Sequence, residues 1–175
     1  MLPRDSLRGL SLLELMVTLA IASIILSLVI PSYGIWLKTA RVRTGAFELA
    51  AGLQRAKSFS VKRGHNVIGA FNSPTNGSYQ IVDDTNNNCV ADGGELVLHT
   101  ITLPPGVAMP SASITLSNNN VAFDPRGLPL GDTGIACLPF GTGNGGGAVT
   151  VQMAGHSRQY VVTLSLAGGV TVTGQ

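Results

Sequence analysis

Gly9-Leu10-Ser11-Leu12-Leu13-Glu14-Leu15-Met16-Val17-Thr18-Leu19-Ala20-Ile21-Ala22-Ser23-Ile24-Ile25-Leu26-Ser27-Leu28-Val29-Ile30-Pro31 is the stretch whose reading decides the architecture. Residues 10–30 are apolar with one charge, Glu14, and a few small hydroxyls. As a helix they reach about 30 Å, the thickness of a bilayer's hydrocarbon core. Arg4 and Arg8 precede the run, so the positive-inside rule puts the N-terminus in the cytoplasm. A secretory signal peptide has a shorter apolar core, with small residues at a cleavage site beyond it. Here helical sequence continues past the run. A plain membrane anchor leaves Glu14 unexplained, because a carboxylate at that depth is costly unless protonated or paired.

Outward from this stretch the pattern changes twice. Pro31 removes a backbone donor and is expected to kink or locally melt the helix. Trp36 beside Tyr33 reads as an interfacial anchor. Val42, Ala46, Leu49, Ala50, Leu53, Ala56 and Ser60 then recur at three- and four-residue steps, the stripe of an amphipathic helix. Lys62 and Arg63 suit its negative end and Gly64 its stop. One helix over residues 10–64 is predicted, its second half packed on the rest of the chain, and the small residues in the stripe imply close approach of a sheet.

From residue 66 the signals are those of strands. Candidates are 66–72, 78–82, 95–101, 113–117, 121–124, 149–153, 159–166 and 170–173, separated by Gly-, Pro- and Asn-rich turns. A long helix followed by short antiparallel strands makes an α+β protein. Its parts are residues 1–9, the membrane-spanning half 10–30, the amphipathic half 31–64 and a β-rich head over 65–175. With 175 residues in all, one compact domain plus one long element is what the chain can hold.

Charge is unevenly spread. Lys38, Arg41, Arg43, Arg55, Lys57, Lys62 and Arg63 face Glu48 alone in residues 35–65, whereas Asp83, Asp84, Asp92, Glu95, Asp124 and Asp132 outnumber Arg126 and Arg158 beyond. The net +2 conceals a basic rod and an acidic head. Cys89 and Cys137 both lie in that head. If the head sits outside the cytoplasm, a disulfide between them is the default reading and would stabilise the fold by roughly 2–4 kcal/mol; two unpaired thiols are the alternative.

The segment Gly9 to Leu15 resembles the class III signal of type IV prepilins. The resemblance implies a peptidase cut after Gly9 on the cytoplasmic side, methylation of the new N-terminus at Leu10, and Glu14 as the fifth mature residue. The family's helix-breaking proline falls at Pro31, while Leu10 departs from its usual phenylalanine. In this setting Glu14 would pair with the α-amino group of a neighbouring subunit and set axial register. A narrower resemblance, to the FimT and GspH-like minor pilins and pseudopilins, rests on three segments. These are Leu53-Gln54-Arg55-Ala56-Lys57-Ser58-Phe59-Ser60-Val61-Lys62-Arg63-Gly64, Gly94-Glu95-Leu96-Val97-Leu98 with Leu103-Pro104-Pro105-Gly106-Val107, and Val121-Ala122-Phe123-Asp124-Pro125-Arg126-Gly127.

What the resemblance implies is a structural subunit that primes or caps a filament, with no catalytic residue and no cofactor. Its partners are other pilins through the N-terminal helix, the prepilin peptidase, and a pilus or type II secretion assembly platform. It is expected in the inner membrane as a single-pass protein with a periplasmic head, then in a pilus or pseudopilus. One rival function is a type II secretion pseudopilin in protein export. Another is a DNA-uptake subunit, whose relatives carry a basic C-terminal tail; here Leu166-Ala167-Gly168-Gly169-Val170-Thr171-Val172-Thr173-Gly174-Gln175 has no basic residue. DNA is therefore not the expected partner, and Arg55, Lys57, Lys62 and Arg63 are its weak candidates. For a metal, Asp83, Asp84, Asp92 and Glu95 are weak calcium candidates in an Asn-rich segment that reads better as a polar turn. The glycine run 141–147 lacks the lysine of a phosphate loop. His65, His99 and His156 stand apart in sequence and form no metal-spacing motif.

Overall fold

The computed structural model describes residues 11–73, 76–110, 120–132, 137–139 and 147–175; the side chains of Pro31, 72–73, 131–132 and 137–139 lie outside the description. Helix α1 spans Leu12–Arg63. Contacts divide the chain into two units, Met1–Leu37 and Lys38–Gln175.

In the first unit α1 exposes its apolar side chains on every side, from Leu12 at 77% exposed to Trp36 at 61%. Helical backbone continues through Pro31, as one helix over residues 10–64 requires; of the two effects expected of the proline, a kink or local melting, the melting does not occur. A proline removes one intrahelical bond, while its neighbours keep theirs and have no better acceptor in apolar surroundings.

In the second unit the predicted stripe is the buried face. Val42, Ala46, Leu49, Ala50, Leu53, Ala56 and Ser60 are all at 8% exposure or less. Gly64 ends α1 in the left-handed region, with φ of 74°, and donates its N–H to the Ser60 carbonyl at 2.9 Å. That single bond closes the last turn, and only glycine adopts such a φ without a steric penalty.

Ten strands follow among the described residues: β1 Val67–Ser73, β2 Ser78–Asp83, β3 Leu96–Thr102, β4 Val107–Ala108, β5 Asn120–Phe123, β6 Pro129–Asp132, β7 Cys137–Pro139, β8 Gly147–Met153, β9 Tyr160–Leu164 and β10 Val170–Gly174. They form two sheets, ordered β3-β2-β1-β5-β6-β7 and β10-β9-β8-β4, where one antiparallel sheet was expected. Every pairing is antiparallel, with Val67 opposite both Asp83 and Phe123. The candidate strand at 113–117 falls outside the described residues, and β4, β6 and β7 are too short to leave a periodic signal.

Alternation sorts the first sheet's side chains onto two faces. Val67, Phe71, Tyr79, Ile81, Val121 and Phe123 join the helix stripe and the second sheet's Val149, Val151, Val162 and Leu164 in one core. Ile68, Ala70, Val82 and Ala122 form a smaller cluster on the other face, together with Cys89. Gly52 lets the sheet come close, because a Cβ there would overlap the Tyr79 hydroxyl. Tyr79 stacks on Phe71 with ring centroids 5.2 Å apart, and its hydroxyl donates to the Glu48 and Leu49 carbonyls, both at 3.4 Å.

Candidate assembly helix and the head residues around it

Gly9 and Leu10, the expected processing residues, lie outside the described residues. Glu14 stands in the first turn of α1, exposed among exposed leucines. The hydroxyls of this segment are satisfied within the helix: Thr18 donates to the Leu15 carbonyl at 2.9 Å, Ser23 to Ala20 at 2.8 Å and Ser27 to Ile24 at 2.7 Å. Such back-bonding lets small hydroxyls sit in apolar surroundings. Glu14 is thus set apart from Thr18, Ser23 and Ser27, as the charged side chain of residues 12–30. Pro31 lies within α1, and the rings of Tyr33 and Trp36 pair at 5.7 Å.

The four acidic candidates do not converge into a metal cluster; among the described residues no group of three or more potential ligands meets. Each carboxylate instead accepts from the chain itself. Asp83 is buried and takes Arg63 Nη1 at 2.6 Å. Its other oxygen lies 3.0 Å from His65 Nδ1 without an aligned hydrogen bond. Asp84 is fully buried and accepts the backbone N–H of Asn88 at 3.1 Å and of Cys89 at 2.9 Å. Asp92 accepts the side-chain amides of Asn86 at 2.9 Å and Asn88 at 2.8 Å, which hold its carboxyl below the usual range. Glu95 accepts from the backbone of Thr85 at 3.2 Å and Asp92 at 3.1 Å. These bonds fold the segment back on itself, with Asn87 and Cys89 at φ of 57° and 60°.

Cys89 is buried in the small cluster, whose members run from Val82 on β2 through Ile68 and Ala122 to Leu130 on β6. Cys137 begins β7, the strand paired with β6.

Three of the four basic candidates meet the head rather than one another. Arg55 Nη1 lies 3.4 Å from His99 Nε2. Lys57 donates to the Gly168 carbonyl at 3.2 Å. Arg63 holds Asp83, and Lys62 is exposed. The C-terminal segment is strand β10, again without a cation. His156 meets Thr39 Oγ1 at 3.0 Å. Glycines 141–146 lie outside the described residues, and Gly147 opens β8.

Sequence reasoning missed Tyr79 as the wedge against Gly52 and Asp84 as the anchor of the 84–95 loop. The first had a trace, small residues in an amphipathic stripe. The second had none, since an Asp beside another Asp in an Asn-rich run reads as solvent-facing.

A long apolar helix whose second half carries a small two-sheet β head defines the type IV pilin-like class, that of minor pilins and pseudopilins. A family model described as "Type II transport protein GspH" matches residues 46–168, more than half of the chain, and the chain belongs to that family. Its fold is similar to the type IV minor pilin FimU of Pseudomonas aeruginosa, with a TM-score of 0.54 at 16% identity over 79% of this chain and 92% of that one. A second crystal form of FimU gives 0.51 at 17%, over 75% and 91%. The minor pseudopilin EpsH from the type 2 secretion system of Vibrio cholerae gives 0.51 at 12%, over 76% and 96%. A comparison with curated proteins found no match.

Proposed function

We propose that the chain is a minor pilin or pseudopilin precursor that primes or caps a pilus-like filament. A prepilin peptidase cuts after Gly9, and the mature subunit begins at Leu10, methylated there. It waits as a single-pass inner-membrane protein over residues 10–30, with the head in the periplasm. An assembly platform then lifts it out, and the apolar helix exchanges lipid for neighbouring helices. Glu14 meets the freed α-amino group of another subunit. The role is structural and requires no cofactor.

The observation that carries this reading is the unlike burial of one helix. Residues 12–36 leave large apolar side chains exposed although the head's own core is complete without them. Contiguous apolar surface of that size marks a partner or a membrane. The family's description, type II transport, favours a second reading in which the filament is the pseudopilus of protein export. A deletion strain scored for both twitching and secretion separates the two.

The same proposal includes a Cys89–Cys137 disulfide. Supporting it is the apolar cluster that leads from Cys89 to β6, the neighbour of the strand carrying Cys137. Intact mass before and after reduction tests both parts on one sample from cells with an active peptidase. The expected species begins at Leu10, and reduction adds two hydrogens. An uncut chain refutes the processing step, and an unchanged mass on reduction refutes the pairing.

A further inference from the structure

Contacts fix the order of the head's elements along the second half of α1. Arg63 meets Asp83 at its C-terminal end, Gly52 lies under Tyr79, and Gly45 lies against Pro104, Val107 and Val151. Thr39 meets His156 in the turn between β8 and β9. The fold therefore brings Arg158, far away in sequence, to the end of the head where Lys38, Arg41 and Arg43 stand. All four cations are exposed, and none has a carboxylate within ion-pair distance among the described residues. The Arg43 guanidinium lies 5.7 Å from the centre of the Phe47 ring, which leaves its charge uncompensated. Asp83, Asp84, Asp92 and Glu95 belong to β2 and the loop after it, at the opposite end. The head is polarised: Lys38, Arg41, Arg43 and Arg158 where it begins, with Glu48 the nearest acid along α1, and its acidic loop at the far end.

We propose that this basic end rests on the anionic phospholipid headgroups of the membrane that α1 enters, an electrostatic footing that holds the subunit until it is extracted. The proposal rests on the membrane-anchor reading given above. Lys38 follows Ile30 by about two helical turns, roughly 12 Å, which puts its backbone a few ångströms beyond the headgroup layer and its side chain within reach of it. Lysine and arginine stems reach back toward the bilayer while their charges stay wet. Cations within about 8 Å of an anionic surface are attracted at physiological salt, and the attraction fades beyond that. Lys38, Arg41 and Arg43 fall at different azimuths of the helix, and Arg158 follows by two residues the His156 that meets Thr39. A planar surface normal to the helix meets all azimuths at once, whereas a protein groove meets one face.

The test reconstitutes the full chain, with Arg4 and Arg8 changed to Gln in every sample so that the leader contributes no charge. The hosts are phosphatidylcholine vesicles, and vesicles of about two parts phosphatidylcholine to one part phosphatidylglycerol. Spin-labelled phosphatidylglycerol and phosphatidylcholine report which lipid the protein keeps at its boundary. The chain with no further change is expected to prefer the anionic lipid by about three- to tenfold, and the preference should collapse at about 1 M salt. Lys38→Gln/Arg41→Gln/Arg43→Gln should bring the ratio close to one. Arg158→Gln should lower it by about half, and Arg126→Gln, in the β5–β6 turn, should leave it unchanged. A chain that floats with both kinds of vesicle yet shows no preference overturns the footing and leaves the anchor standing. A chain that floats with neither overturns the anchor, and this proposal with it. A preference that survives the triple substitution, or falls equally with Arg126→Gln, also overturns the footing.

Discussion

Residues 12–37 and 38–63 belong to one helix, yet they meet the hydrophobic effect in opposite ways. The first stretch is apolar all round and buries nothing within its own unit; the second gathers most of its apolar residues into one buried stripe and leaves only Phe47 and Val61 as large exposed apolar side chains. An all-round apolar helix needs a solvent that is itself apolar, whether lipid or other helices, whereas a striped one needs a single partner surface. Helical backbone is common to both, so the side-chain pattern alone decides which half anchors and which half folds. The single carboxylate of the first stretch and the two glycines of the second mark where each half is specialised.

The comparison breaks if a change in one half is felt in the other. Glu14→Ala should leave the head's unfolding transition unchanged and lower co-purification with filament partners by about tenfold, the loss of roughly 1.4 kcal/mol of pairing. Removing the carboxylate also relieves its cost in the bilayer, so membrane insertion should be at least as good as in wild type. Leu49→Ala should do the reverse, costing the head about 2–5 kcal/mol in denaturant unfolding, because Leu49 is fully buried in the main core. Leu19→Ala, a deletion of the same size where the side chain is 62% exposed, should not move that transition. Equal incorporation of Glu14→Ala would end the register role, and a head destabilised by Leu19→Ala would end the division of labour.

Glycine sharpens the contrast at a smaller scale. A Cβ on Gly34 meets nothing within 4 Å, while one on Gly52 overlaps the Tyr79 hydroxyl. Gly34→Ala should be neutral or should strengthen the helix by up to about 1 kcal/mol. Gly52→Ala should destabilise the head by about 1–3 kcal/mol, since either the ring or the helix must shift. Tyr79→Phe removes the nearest of the colliding atoms, so the double variant should lose less than the two single losses added. Strict additivity in chemical denaturation would show that the close approach is slack and that Gly52 is not its cause.

What was legible in the sequence follows the same division. The apolar run and the stripe from Val42 to Ser60 could be read because helical periodicity is a local property, and all seven stripe residues are buried as expected. The helix stop at Gly64 was equally local. Sheet pairing was not legible: β1 lies between β2 and β5, a partner some fifty residues away, and nothing in either strand names the other. The acidic loop was misjudged in emphasis for a related reason. Asp83 and Asp84 look solvated in a run of Asn and Asp, but Arg63 and the backbone of Cys89 come to them only once the helix end and the β2–β3 loop have met. The single helix read through Pro31 was also local, since one lost bond does not end a helix whose other groups remain satisfied.

The smallest effect concerns ionisation at the place where helix and sheet come closest. Tyr79 is almost fully buried, and desolvation pushes its phenol well above the ordinary value of 10.0, with Arg55 pulling it slightly back and Glu48 adding a little to the rise. A raised folded value means that the neutral phenol is favoured by folding. The contribution is therefore fully present below pH 10.0, where the unfolded phenol is also neutral. Above it the unfolded chain gives up its proton while the folded head does not, and stability falls as the pH climbs. The slope from this one group approaches about 1.4 kcal/mol per pH unit. Tyr79→Phe keeps the ring on Phe71 and removes the proton. Urea midpoints at about pH 9 and pH 11 should thus converge in the variant and separate in wild type, after the loss common to both proteins is subtracted. Parallel losses would mean that the hydroxyl between Gly52 and the Glu48 and Leu49 carbonyls is reached by water, and that helix and sheet meet less tightly than their packing requires.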